Sequence, residues 1–86
     1  MGELAVLRKR IDEVDDRILT DLLMRVEICR GIGDLKRKQN KPVYDVQREN
    51  AVLKRIREKA ELLKLDPERI EQIYREIVNM CITVQQ

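Results

Sequence analysis

The sequence predicts an all-α fold of three helices, the first far longer than the other two. Three observations carry this. Apolar residues recur at steps of three and four through most of the chain, and no stretch alternates as a half-buried strand does. Charged residues make up 40% of the chain, with two Tyr and no Phe or Trp, a profile of charge-laced helical proteins. Helix-stopping and helix-starting residues cluster at two places, around residues 39–45 and 66–68. At 86 residues the chain reads as a single domain, 1–86.

Helix one is expected from about Glu3 to Lys38. Its apolar stripe runs Leu4, Leu7, Ile11, Val14, Ile18 and Leu22. Acidic residues near its start, and Lys36, Arg37 and Lys38 at its end, complement the helix dipole. Gly31 and Gly33 each cost about 1 kcal/mol relative to Ala. The stripe nevertheless stays in phase through Leu35 and Lys36, so the helix is expected to run on unbroken. Gln39 to Tyr44 form a loop in which Pro42 forces Lys41 out of helical geometry. Asp45 is a good N-cap for helix two, which should turn Val46, Leu53, Ile56, Ala60 and Leu63 inward. Asp66-Pro67-Glu68 is a strong start signal for helix three, with a cap, a proline at the first helical position and an acid. That helix should turn Ile70, Ile73, Ile77, Cys81 and Val84 inward.

Length then points to an assembly. A 36-residue helix spans about 54 Å, whereas a compact chain of this size has a radius of gyration near 12 Å, hence a diameter of about 31 Å. Two shorter helices cannot cover the first. Two copies crossing their long helices would cover each other, which predicts an interlocked homodimer forming a six-helix bundle.

The most informative departure from pattern lies on helix one. Beyond Leu22 the stripe continues Arg25, Cys29, Ile32, Lys36. Arg25 and Lys36 are about three turns, or roughly 16 Å, apart and share a face. Cations turned toward a core need an anion there. No buried carboxylate stripe stands opposite, so a ligand is the expected anion, with the small residues leaving room for it. Taken singly, the other polar candidates have ordinary readings. Arg8 is one charge in Arg8-Lys9-Arg10, and Asp45 is a cap. Arg48 and Glu49 suit a local ion pair. Gln85 read alone is a solvated end residue, and Cys29 and Cys81 are small core residues with no adjoining base.

Taken in order, these residues resemble a family. Leu7-Arg8-x-x-Ile11, Asp15 or Asp16, Ile18, Leu22, Arg25, Gly33 and Lys36 resemble the all-helical class of chorismate mutases. Pro42-Val43-x-Asp45-x-x-Arg48-Glu49 does so too, as does the ending with Ile77, Cys81 and Gln85. The resemblance covers nearly the whole chain, and the ordered set rather than any one piece is specific. It implies the interlocked dimer and the conversion of chorismate to prephenate in aromatic amino-acid biosynthesis. It also implies roles. Arg25 and Arg8 would clamp the substrate's two carboxylates, as guanidinium forks do. Lys36 would bind a carboxylate and the ether oxygen, and Gln85 would donate to that oxygen. Glu49 would accept from the ring hydroxyl near the Asp45 backbone, with Arg48 supporting it. Cys81 stands where a better-known member has a hydroxyl, and a thiol donates only feebly. Arg8 and Arg25 lie about 25 Å apart along one helix, so Arg8 is expected to serve the partner's site.

The rearrangement breaks one C–O bond as one C–C bond forms within a single molecule. It needs orientation and charge stabilisation, and no nucleophile, metal or cofactor. The absence of His accords with that. Two scattered cysteines make neither a disulfide framework nor a zinc site and fit a reducing cytoplasm. A net charge of +2 without aromatic interleaving argues against nucleic acid, and no run approaches membrane-spanning length. The nearest rival reading is an isochorismate pyruvate lyase, whose pattern lacks a glutamate at the position of Glu49. A non-enzymatic helical dimerisation module is the rival of another class, and it leaves Arg25 and Lys36 unexplained.

Overall fold

In the computed structural model, which describes residues 2–86, the chain forms α1 (Glu3–Lys38), α2 (Val46–Leu62) and α3 (Pro67–Gln85). There is no strand among the described residues. No helix among them is long and apolar enough to cross a membrane. α1 passes through Gly31 and Gly33 without a break.

Local chemistry ends each helix. α1 stops at Gln39 because Asn40 takes a left-handed conformation, φ 54°. The Lys41 N–H then donates to the Lys36 carbonyl at 2.8 Å and the Asn40 N–H to that of Arg37 at 3.2 Å. This is a Schellman closure, and asparagine tolerates its left-handed position. The helix thus ends before Pro42 has any part in it. α2 closes the same way at Lys64, φ 60°, with Leu65 N–H donating to the Ala60 carbonyl at 2.9 Å. Asp45 caps α2 by accepting from the Arg48 N–H at 3.0 Å, and Asp66 caps α3 by accepting from the N–H groups of Glu68 and Arg69.

α3 is the common packing partner of α1 and α2. Val52 and Ile56 of α2 and Val78 of α3 form the core cluster, with Ile70, Tyr74 and Ile82 packed against it. Having two neighbours, α3 buries a wide arc. Val78, Cys81 and Gln85 are buried and Ile70, Ile77 and Val84 half-buried, whereas Ile73, expected inward, faces away from both neighbours and is exposed. On α2, Leu53, Ile56 and Ala60 are buried as expected and Val52 joins them. Val46 and Leu63, also expected inward, are exposed. Val46 opens the first turn and Leu63 sits at the C-cap, where the backbone is already turning away.

α1 gains cover only over its second half, where Cys29 and Gly33 are buried. Leu4, Leu7, Ile11, Val14 and Ile18 are 42–61% exposed, so within one chain this stripe faces no core. The molecule is accordingly extended, 57 × 24 × 15 Å, with a radius of gyration of 16.3 Å.

Candidate active site

Where α1, the α1–α2 loop, α2 and α3 converge lies an open cavity of about 140 Å³. Seven of the eight residues singled out in the sequence line it, namely Arg25, Lys36, Asp45, Arg48, Glu49, Cys81 and Gln85. Arg8 does not, because it projects from the uncovered half of α1, roughly 25 Å along the helix from Arg25.

Arg25 is half-buried without a carboxylate partner. One guanidinium nitrogen, Nη1, donates to Cys81 Sγ at 2.7 Å and lies 3.8 Å from Cys29 Sγ. Its Cζ stands 5.9 Å from the centre of the Tyr74 ring, within cation–π range. Lys36 Nζ donates to the Val43 carbonyl at 2.8 Å, which ties the loop to α1 and leaves two of its three donors uncommitted. The ion pairs among the described residues join Arg37 to Asp34, Arg57 and Arg75 to Glu71, and Arg69 to Asp66; none includes Arg25 or Lys36.

Across the cavity the polarity reverses. The Asp45 cap fixes the first turn of α2, and that turn carries Arg48 and Glu49. Glu49 is half-buried, and its Oε2 is buried without a hydrogen-bond partner. Its other effect is on Tyr44, whose phenol is pushed above its ordinary range by hydrogen bonding to Glu49 and by the Glu49 charge. Arg48 is exposed, and no ion pair joins it to Glu49.

Gln85 corrects the solvated reading, for it is buried, 7% exposed. Its Nε2 donates to the Cys81 carbonyl at 3.3 Å, while Oε1 is buried and unpartnered. The room at Gly33, expected to serve a ligand, is filled by Gln85 instead. A Cβ at Gly33 would lie 3.0 Å from Gln85 Cα and Cβ and 3.1 Å from Cγ. The two thiols share Arg25, with Cys81 acting as acceptor rather than donor. Burial pushes the Cys29 thiol up to about 11, the neighbouring Cys81 adds to this, and Arg25 and Lys36 oppose it. No disulfide joins Cys29 and Cys81.

Sequence reasoning missed the apolar part of the lining, Val43, Val52, Val78 and Ile82. It also missed the Tyr74 face beneath Arg25 and the Arg37 contact with α3, in which Nη1 donates to the Gln85 main-chain carbonyl at 2.6 Å. Tyr74 had a signal, since it lies one turn before Val78 on the same face. The Arg37 contact had none, because it depends on how α3 lies against α1.

The cavity therefore presents unpaired cations on one side, an unpaired carboxylate on another and a buried amide between helices. That is a surface for a small ligand bearing both anions and a hydroxyl donor. The chain is 35% identical over 94 residues to a bifunctional chorismate mutase/prephenate dehydratase of Aquifex aeolicus, covering 99% of this chain and 24% of that protein. It is 34% identical over 55 residues to a chorismate mutase of Methanocaldococcus jannaschii, covering 64% of this chain and 56% of that one. A solved structure of a conserved hypothetical protein from Pyrococcus furiosus superposes with a TM-score of 0.81 at 32% identity, covering 100% of this chain and 99% of that one. The chain thus spans about a quarter of the length of the bifunctional relative and about half that of the shorter one. Residues 7–86 match the family described as chorismate mutase type II, and to that family the chain belongs.

Proposed function

We propose that this chain is a chorismate mutase, an isomerase that turns chorismate into prephenate for aromatic amino-acid biosynthesis, acting as a single domain over residues 1–86. The observation that carries the reading is the pairing of unneutralised cations, Arg25 and Lys36, with the unpartnered Glu49 oxygen in one cavity. Chorismate has two carboxylates for the cations and a ring hydroxyl to donate to Glu49.

The chemistry follows from what each group does to one molecule. The substrate's ether C–O bond breaks while a new C–C bond forms, and no atom enters or leaves. Arg25, pre-oriented by the thiols and the Tyr74 ring, grips one carboxylate. That preorganisation matters because a flexible fork would lose entropy on binding. Lys36 turns its free donors to a carboxylate and to the ether oxygen as it gains negative charge. Gln85 gives that oxygen its second N–H. Glu49 holds the ring hydroxyl, Arg48 at the rim supports the carboxylate site, and the Asp45 backbone lies nearby. Cys81 serves chiefly by holding Arg25.

The working unit in this reading is a homodimer with two shared sites, built as a six-helix bundle. Its support is the bare stripe on α1. Fully burying a large aliphatic is worth roughly 1.5–3 kcal/mol; these five are 42–61% exposed, so covering them contributes about half of that each, roughly 4–8 kcal/mol per chain, comparable to the stability of an ordinary domain, about 5–15 kcal/mol. In such a dimer Arg8 reaches the partner's cavity and supplies the second guanidinium.

The test is a direct assay. Purified protein given chorismate should consume it, with prephenate as the product, and leave isochorismate without release of pyruvate. Pyruvate from isochorismate would make it a lyase. Inertness toward both would return the cations to a non-enzymatic helical module.

A further inference from the structure

We propose that Gly33 and Arg37, one turn apart on α1, form a seat that holds Gln85 in its reacting pose, and that Arg37 is a positioning residue although it does not line the cavity. The inference rests on the reading in which Gln85 donates to the ether oxygen.

Gln85 is weakly held by its own side chain. Its amide makes one long bond, 3.3 Å, to the Cys81 carbonyl, and its oxygen makes none. The pose of the amide therefore depends on where the backbone of this last turn of α3 lies. Two features of α1 set that place. Gly33 lacks the Cβ that would stand 3.0 Å from Gln85 Cα, so α3 can close directly onto α1. Arg37 then donates to the Gln85 main-chain carbonyl at 2.6 Å. The same guanidinium pairs through Nη2 with Asp34 on its own helix, an exposed pair that biases Arg37 toward α3 without fixing it.

Such a seat acts on rate rather than on affinity. A donor misplaced by about 1 Å can cost roughly a hundredfold in rate, while carboxylate binding by Arg25 and Lys36 is untouched. Arg37→Met should lower kcat about tenfold and leave KM within about twofold, and Arg37→Lys, which still donates, should recover most of the loss. Gly33→Ala should lower kcat in the same sense, although alanine is the better helix former.

The deciding experiment is a double-mutant cycle in the full chain, read by kcat and KM and by the NMR signals of the Gln85 side-chain amide. Gln85→Ala should lose most activity, and adding Arg37→Met to it should cost less than about twofold more. In Arg37→Met alone the Gln85 amide signals should move toward those of a free glutamine. A full tenfold further loss in the Gln85→Ala background, or an unmoved amide signal, would overturn the seat. If Gln85→Ala keeps wild-type kcat, the role of Gln85 at the ether oxygen falls instead. The seat then stands or falls on the amide signal.

Discussion

The two halves of α1 carry one continuous stripe and meet opposite fates. From Leu22 onward the stripe turns polar at Arg25 and Lys36, small at Cys29 and Gly33, and is covered by α3. From Leu4 to Ile18 it is purely aliphatic and bare. Composition alone would assign burial the other way round. The covered half spends its burial on polar groups, which is the signature of a site, and its cations are held by thiols, a ring and a carbonyl rather than by carboxylates. The bare half offers the better hydrophobic surface with nothing in its own chain to meet it. The contrast is what the proposed dimer would require, in which one chain builds most of a site and a second copy supplies the rest, Arg8 included.

Breaking the covered half should have the largest effect. Lys36→Ala removes a preorganised donor and should lower kcat/KM by about a hundredfold or more, with helix content and assembly unchanged. Retention of a tenth of wild-type activity, a deficit of only about 1.4 kcal/mol, would remove Lys36 from the ether oxygen.

The link between the halves is sharpened by mixing. Arg8→Ala and Arg25→Ala homodimers should each be defective at both sites. Refolded together, a mixed dimer regains one site with both arginines and one with neither. Its activity should approach half of wild type if the sites are independent. Mixed dimers as inactive as their parents would confine Arg8 to its own chain. An Arg8→Ala protein of full activity would make it a solvated charge. Wild-type thermal midpoints should also rise with protein concentration, as they must when folding and association are linked.

The smallest effect concerns Cys29. Its thiol titrates near 11 in the folded chain against an ordinary 9.0. Below pH 9 the thiol is protonated in both folded and unfolded states, and its contribution is intact. Between about 9 and 11 the unfolded chain releases the proton first, so stability is lost as pH rises. Urea unfolding should show wild type weakening through that window more than Cys29→Ala does. Parallel curves would show that the thiol does not couple to folding.

Much of this was legible in the residues, and the failures are instructive. The spacing of three and four, the caps at Asp45 and Asp66 and the proline at Pro67 act within a turn or two, so they mark helices without reference to the rest of the chain. The in-phase cations at Arg25 and Lys36 were visible for the same reason, since period 3.6 puts them on one face. Ile73 and Val46 were misplaced because periodicity names a face but not its width or the ends of its contact. Gln85 was read alone as solvated because nothing local separates a buried amide from a free one.

The sequence by itself determined three helices, the span of the first, the caps that start the other two and the in-phase cations on the first, because backbone capping and helical periodicity are short-range physics. Only the tertiary structure decided that Gly33 makes room for Gln85 rather than for a ligand, that Arg37 donates to the Gln85 carbonyl, and that thiols and a tyrosine ring hold Arg25. Each of those depends on where α3 lies against α1, a choice made by packing across as many as 56 residues of chain, which no local pattern encodes.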